Sequence, residues 1–197
     1  MDAAASEPDE ARATVPGAGT LGPVVEAFDR RIDAALDRLR GNEVLDQLFR
    51  TASTAGDFSL VWHALGGVRG VATRRIDQLV VLAVGLGLES LIVNQGIKRL
   101  FRRERPTEQG ETGLEVRQPS TSSFPSGHAS AATFAVVLLS TWERPPRVAG
   151  WAAVGFLVAT SRVYVRIHHA SDVVGGMLIG AGLGLLARPV ARRVAPR

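Results

Sequence analysis

The spacing of apolar and polar residues near the start of this chain predicts an amphipathic helix. Apolar residues recur there at steps of three and four, with charged residues between them: Val25, Phe28, Ile32, Ala35 and Leu39. Gly41 and Asn42 end the pattern, and a second short helix is expected to start at Val44. We expect this segment to pack against the rest of the protein. The alternative is a helix that lies in a membrane interface.

From residue 57 onward, long apolar stretches alternate with short loops that carry arginine. The stretches cover residues 58–68, 79–97, 129–142, 148–160 and 173–187. They are apolar on nearly all faces, which predicts buried helices. A membrane-spanning helix needs about 20 mostly apolar residues, and even the longest stretch is interrupted, by Glu89. The pattern alone therefore leaves both a soluble all-α bundle and a membrane bundle open.

A glycine repeat in the last stretch favours the membrane. Gly176, Gly180 and Gly184 recur at four-residue spacing. Such a small-residue face lets membrane helices approach closely, although a tight crossing of soluble helices produces the same pattern.

The charges of the loops indicate an orientation. If the stretches alternate across a bilayer, loops 69–77 and 143–147 share one side with the C-terminal tail. That side carries Arg69, Arg74, Arg75, Arg144, Arg147, Arg188, Arg192, Arg193 and Arg197. The positive-inside rule places it in the cytoplasm, although the opposite loops, 98–128 and 161–172, are basic too. We expect an all-α bundle of about five or six apolar helices, an integral protein of the cell membrane, with those opposite loops on the extracytoplasmic face.

Composition limits the domain organisation and the chemistry. The 197 residues suit one domain with a tail. Residues 1–23 are small, acidic and rich in proline and glycine, which predicts a disordered leader before a single domain over 24–197. The chain has no cysteine, which excludes disulfides and thiolate chemistry. Aromatic residues make up only 6%, which argues against a nucleic-acid partner that is bound by base stacking.

The two opposite loops contain the residues that point to chemistry. Lys98, Arg105 and Arg162 stand near the ends of apolar stretches, where a lone charge is costly. Brought together, they would bind a dianion such as phosphate. The Ser126 hydroxyl and the backbone N–H of Gly127 could add donors, because glycine lets a ligand approach the main chain closely.

Two histidines and an aspartate complete the candidate site. His168 and Asp172 are four residues apart, so a helix that ran through both would place them on one face. The carboxylate would then fix the imidazole tautomer and leave the other ring nitrogen as a base or nucleophile. His128 could serve as a general acid. Taken singly, each cluster also has an ordinary structural explanation: a solvated basic loop, a turn, or a contact at the start of a helix.

The order and spacing of these clusters resemble the type 2 phosphatidic acid phosphatase superfamily, the lipid phosphate phosphatases. The family signature is a lysine, six residues and Arg-Pro; then Pro-Ser-Gly-His; then Ser-Arg, five residues, His, three residues and Asp. Every named position matches, at Lys98, Arg105-Pro106, Pro125-Ser126-Gly127-His128, Ser161-Arg162, His168 and Asp172. The matching segment is 98–172.

The resemblance implies a metal-independent phosphatase that hydrolyses a lipid phosphate or diphosphate through a phosphohistidine. It implies that His168 is the nucleophile, that Asp172 orients it, and that His128 protonates the leaving oxygen and then activates water. The implied phosphate-binding residues are Lys98, Arg105, Ser126, Gly127 and Arg162. No metal or cofactor is expected, since the cations take the place of a metal. His169 is treated as a neighbour, and loop 107–124 as a cover over the pocket.

The motif identifies the phosphate and not the lipid. The candidate substrates are a polyprenyl diphosphate, a polyprenyl-linked sugar phosphate, phosphatidylglycerol phosphate and phosphatidic acid, with membrane lipids as the other partners. Two alternatives belong to other classes: an enzyme like the vanadate-dependent haloperoxidases, which share this anion pocket, or a non-enzymatic membrane binder or transporter.

Overall fold

The computed structural model describes residues 21–109, 114 and 116–195, and these residues form helices without any strand. The α-helices are α1 (Pro23–Asp37), α2 (Glu43–Ala55), α3 (Leu60–Ala72), α4 (Ile76–Ser90), α5 (Gly127–Leu139), α6 (Pro145–Tyr164) and α7 (Ala170–Arg193). Short 3₁₀ turns cover Asp57–Ser59 and Pro106–Gln109, and α4 continues with altered winding to Leu100. The predicted all-α fold is confirmed. Residues 1–20 of the expected leader, 1–23, lie outside the described residues. The last residue of that segment, Pro23, begins α1.

Helix α5 lies at the centre of the bundle and packs most extensively against α7. The glycine repeat makes this contact close. A Cβ atom on Gly180 would lie 2.1 Å from the carbonyl oxygen of Ser130, and one on Gly176 would lie 2.3 Å from that of Ser126. These distances are shorter than any non-bonded contact allows, so only glycine fits. The expected small-residue face is therefore a helix–helix interface.

Two helices have the length and composition to cross a membrane. They are the continuous rod Ile76–Leu100 and Ala170–Arg193. Only 28% and 22% of the most apolar 18-residue stretch of these two helices is buried inside the protein, whereas the core helix of a soluble protein would be mostly buried. Large apolar side chains such as Val84 and Leu88 on α4 and Leu178 on α7 are exposed instead. Exposed apolar faces of this extent are typical of a surface that contacts lipid.

The amphipathic N-terminal helices pack against the end of α6, as expected. Tyr164 is fully buried and its ring stacks on that of Phe49 with centroids 4.1 Å apart. The Tyr164 hydroxyl donates to Oδ1 of Asp46 at 2.6 Å and lies 2.9 Å from the carbonyl oxygen of Leu39. Nε of Arg40 donates to the Tyr164 carbonyl at 2.9 Å. These buried polar contacts fix α1 and α2 beside the loop that joins α6 to α7.

Candidate active site

The loop between α6 and α7 positions His168 and Asp172. No single helix runs through both residues, because α7 begins only at Ala170. Arg166 has φ of 56°, in the left-handed region, which ends α6 and turns the chain. Asp172 lies in the first turn of α7, and this turn folds back so that its Oδ2 is 3.5 Å from Nδ1 of His168. The expected pair therefore forms, but through a helix start and not through a shared helix face.

Asp172 is fully buried and accepts hydrogen bonds on both carboxylate oxygens. Oδ2 accepts from the backbone N–H of His169 at 2.9 Å and from the hydroxyl of Ser123. Oδ1 accepts from Nη1 of Arg103. The backbone carbonyl of Asp172 accepts the N–H of Ser126 at 2.9 Å, which ties the start of α5 to the start of α7. Such a network holds a buried carboxylate in its charged form and in one orientation.

Arg105 lies directly beside His168 and is completely buried. Its Nη1 donates to the carbonyl of Ile167 at 2.9 Å and lies 3.3 Å from Nε2 of His168. Nη2 donates to the carbonyl of Thr121 at 2.9 Å, and Nε to that of Pro119 at 3.2 Å. These carbonyl contacts hold the guanidinium rigidly against the imidazole.

Burial also sets the protonation state of His168. The loss of water around the ring lowers the pKa of His168 well below its usual range. The hydrogen bond to Asp172 acts in the opposite direction, and the positive charges of Arg105 and Arg162 lower the pKa further. The imidazole is therefore neutral at neutral pH, which is the form that carries a lone pair for attack.

Arg162 presents donor atoms that lack a partner. Its side chain is 1% exposed, and Nη1 donates to the hydroxyl of Ser53. Among the described residues, neither Nε nor Nη2 has a hydrogen-bond partner. A buried guanidinium edge without an acceptor is costly, and it fits an anionic oxygen supplied by a ligand.

The Pro-Ser-Gly-His motif forms the start of α5. Ser126 is the N-cap residue and its hydroxyl accepts from the N–H of Ala129 at 3.5 Å. The ring nitrogen Nε2 of His128 lies 3.1 Å from the carbonyl of Ser53 and 3.2 Å from Oδ1 of Asp57. The free N–H groups and the positive end of the helix dipole at this terminus favour an anion.

One cavity of about 330 Å³ collects most of the predicted residues. Five of the eight line it: Lys98, Gly127, His128, Arg162 and His168. The other three, Arg105, Ser126 and Asp172, are not among the lining residues. Arg105 and Asp172 lie beside the two ring nitrogens of His168, and Ser126 caps α5. Arg117, Pro119 and Thr121 also line the cavity. Loop 107–124 thus borders the pocket in its described part, while residues 110–113 and 115 lie outside the described residues.

Three side chains that the sequence did not single out belong to the site. Arg103 and Ser123 bind Asp172, and Asp57 pairs with His128. Arg103 is one cation within a run of charges, and Ser123 is one hydroxyl within a run of serines and threonines. Nothing in the local sequence distinguishes them. For Asp57 there was one signal in the sequence, since it is a carboxylate at the start of an apolar stretch.

Comparison with known proteins identifies the family. A sequence model described as the PAP2 superfamily matches residues 78–195. The chain belongs to the PAP2 superfamily. It is 34% identical over 146 residues to the decaprenylphosphoryl-5-phosphoribose phosphatase of Mycobacterium tuberculosis, covering 72% of this chain and 77% of that protein. It is 28% identical over 150 residues to an undecaprenyl-diphosphatase of Bacillus subtilis, covering 74% of each.

A solved structure supports the fold. The PAP2-type phosphatidylglycerolphosphate phosphatase of Bacillus subtilis, a transmembrane protein, superposes with a TM-score of 0.68 at 23% identity over 87% of this chain and 88% of that one. The family and the helical membrane fold expected from the signature are thereby confirmed. Helices α1, α2 and α3 precede the segment that the family model matches.

Proposed function

We propose that this PAP2 protein is a membrane phosphatase that removes phosphate from a lipid phosphate or diphosphate through a phosphohistidine intermediate. The observation that carries the proposal is the buried edge of Arg162, with two unpartnered donor atoms, on the wall of a cavity that also contains His168 and Lys98. A phosphoryl group spreads its charge over its oxygens, and fixed cations stabilise that charge during transfer.

The geometry supports a two-step reaction. In the first step, the lone pair of Nε2 of His168 attacks phosphorus, the bond to the leaving oxygen breaks, and His128 supplies a proton to that oxygen. Asp172 stabilises the positive charge that develops on the ring of His168. In the second step, His128 takes a proton from water, the resulting hydroxide attacks phosphorus, and the P–N bond breaks to release phosphate and regenerate His168.

The cations divide into two groups. Lys98 and Arg162 line the cavity and contact the phosphoryl oxygens directly in this mechanism, together with the N–H of Gly127. Arg105 is placed to bind an oxygen at the point of attack, because its Nη1 lies 3.3 Å from Nε2 of His168. Ser126 maintains the start of α5 through its cap.

The relatives favour a polyprenyl-linked substrate. The first one named above acts, by its name, on decaprenylphosphoryl-5-phosphoribose, and the second on undecaprenyl diphosphate. We therefore propose a polyprenyl-linked phosphate of the cell membrane, with these two as the first compounds to test. Phosphatidylglycerol phosphate and phosphatidic acid complete the panel.

The arrangement of the loops supports an extracytoplasmic site. At the end of the bundle away from the site, Arg69 bonds to Glu143, and Nε1 of Trp142 donates to the carbonyl of Ala191 at 2.9 Å. These contacts join the last turn of α3, the turn after α5 and the C-terminal end of α7. The positive-inside rule then favours the cytoplasm for that end and the opposite face for the cavity.

The deciding experiment measures phosphate release by purified protein in detergent with EDTA, against the four lipids of the panel. We expect release from at least one lipid, competitive inhibition by orthovanadate, and an acid-labile ³²P-labelled protein after a brief reaction with labelled substrate. His168→Asn should show neither turnover nor label. No release from any of the four lipids, or undiminished turnover by His168→Asn, would overturn the proposal. Bromide oxidation with vanadate and peroxide would indicate the haloperoxidase alternative instead.

A further inference from the structure

Asp29 on α1 is a buried carboxylate that contacts the start of α7. Asp29 is 7% exposed, although the two residues that follow it on α1, Arg30 and Arg31, are exposed. Oδ1 accepts from the backbone N–H of Ser171 at 2.7 Å, and Oδ2 accepts from the Ser171 hydroxyl at 2.8 Å. Oδ2 also accepts from Nη2 of Arg103 at 2.7 Å. A buried charge this well satisfied is a specific arrangement and not a solvated helix face.

Arg103 joins Asp29 to the site. Its guanidinium is buried, with Nη2 on Asp29 and Nη1 on Oδ1 of Asp172. The opposite oxygen of Asp172 faces Nδ1 of His168 at 3.5 Å. The four side chains therefore form one chain of contacts, which begins on α1 and ends at the imidazole.

The charges along this chain explain why Asp29 is needed. Arg103 paired with Asp172 alone sums to zero, so the arginine would cancel most of the negative potential that Asp172 exerts on the ring of His168. Asp29 adds one negative charge and restores a net charge of minus one behind the imidazole. Because the group is buried, these interactions are weakly screened. A negative charge behind the ring stabilises the positive charge that forms when Nε2 attacks phosphorus.

We propose that Asp29 is a positioning residue for phosphoryl transfer, acting through Arg103 on Asp172 and His168, so that helix α1 is part of the working enzyme. This inference rests on the proposed phosphatase function. It also assigns a role to a helix that lies outside the family-matched segment, residues 78–195.

The test compares Asp29→Asn with Asp33→Asn in the purified full-length protein, with the member of the four-lipid panel that the wild type hydrolyses fastest. Asp33 is the matched control, since it lies on the same helix and its ion pairs among the described residues are with Arg40 and Arg166. For Asp29→Asn we expect kcat to fall about 10- to 100-fold with KM unchanged within about twofold, and slower formation of the ³²P-labelled intermediate. Asp33→Asn should retain the wild-type kcat.

Two further variants separate electrostatics from docking of α1. Ser171→Ala removes the hydroxyl that donates to Asp29 and accepts from Nη1 of Arg103, but it keeps the backbone N–H bond to Asp29 and every charge, so it should retain most of kcat. Arg103→Gln combined with Asp29→Asn should lose no more than Arg103→Gln alone, because both act through one chain. If Asp29→Asn does not fold, Asp29→Glu keeps the charge and should keep kcat within about tenfold of the wild type.

Several outcomes would overturn the inference. They are a wild-type kcat in Asp29→Asn, a rise in KM without a fall in kcat, an equal loss in Asp29→Asn and Ser171→Ala, or an Asp29→Glu protein that folds and has no activity. A wild-type protein that releases no phosphate from any of the four lipids counts against the proposed function itself, so the two failures are distinguishable.

Discussion

Oδ1 of Asp57 lies 3.2 Å from Nε2 of His128, and this contact joins the turn before α3 to the first turn of α5. Both residues line the cavity. Burial acts to raise the pKa of Asp57, but the hydrogen bond from His128 and the charges of His128 and Arg162 outweigh it and hold the pKa below its usual range. Asp57 is therefore ionised at neutral pH. Burial and the charge of Arg162 lower the pKa of His128 to about 4, and the hydrogen bond and charge of Asp57 act against that shift.

The pairing predicts that Asp57 supports proton transfer to the leaving oxygen. In Asp57→Asn, kcat should fall about tenfold or more on a lipid phosphate, whose alkoxide leaves only when it is protonated. The loss should be much smaller on p-nitrophenyl phosphate, because its leaving group needs no acid. Parallel kcat measurements on the two substrates check this. The control is Asp77→Asn, which removes the carboxylate of an exposed ion pair with Arg75. An equal loss on both substrates would contradict the role.

The contact between α5 and α7 predicts a sharp contrast between two glycines of the same helix. A Cβ on Gly180 would meet the backbone of Ser130 at 2.1 Å, whereas one on Gly182 meets nothing within 4 Å. Gly180→Ala should therefore destabilise the protein by about 1–3 kcal/mol through overpacking. Gly182→Ala should be neutral or should stabilise by up to about 1 kcal/mol, because alanine favours the helix. Thermal unfolding in detergent measures both, and equal melting temperatures would refute the close packing.

The sequence predicted the parts of this protein that depend on local pattern. The apolar stretch 79–97 lies within the rod Ile76–Leu100, and the stretch 173–187 within Ala170–Arg193. The grouping of five of the eight predicted residues around one cavity was predictable, because three short motifs each keep their residues within a few positions. The approach of Asp172 to His168 was predicted only on the condition of a shared helix, and that condition is not met, since residue spacing does not reveal where a helix begins.

The partners of the buried charges were not predictable from the sequence. Asp29 and Arg103 are 74 residues apart, and Asp57 and His128 are 71 apart, 128 − 57. Acidic residues on an amphipathic helix are usually solvated, so nothing marked Asp29 as different from Asp33 or Asp37. Only the packing of α1 against α7 determines which of them is buried.

The neutral, buried imidazole of His168 predicts a pH-dependent stability. The groups that face it are Asp172, Arg105 and Arg162. Above pH of about 6.5, the ring is unprotonated in both the folded and the unfolded chain and contributes no pH dependence. Below that pH the unfolded chain binds a proton that the folded protein excludes, so stability falls by up to about 1.4 kcal/mol per pH unit.

The measurement compares the wild type with His168→Asn, which has no such group. Thermal unfolding in detergent between pH 8 and pH 5 should show the wild type losing stability faster than the variant as the pH falls below about 6.5. If the wild type instead gains stability relative to the variant in that range, the ring is protonated in the folded protein. That result would also remove the lone pair on which the proposed attack depends.

The orientation of the protein can be tested directly because the chain contains no cysteine. Ser120→Cys introduces a thiol on the exposed loop beside the cavity, and Arg192→Cys introduces one at the C-terminal end of α7. With the site on the extracytoplasmic face, a membrane-impermeant maleimide should label Ser120→Cys in intact bacteria and label Arg192→Cys only after permeabilisation. A cysteine-bearing cytoplasmic protein in the same cells reports membrane integrity. The two thiols lie at opposite ends of the bundle, and the rod Ile76–Leu100 is long enough to span the bilayer. The reverse labelling pattern would therefore place the cavity on the cytoplasmic side.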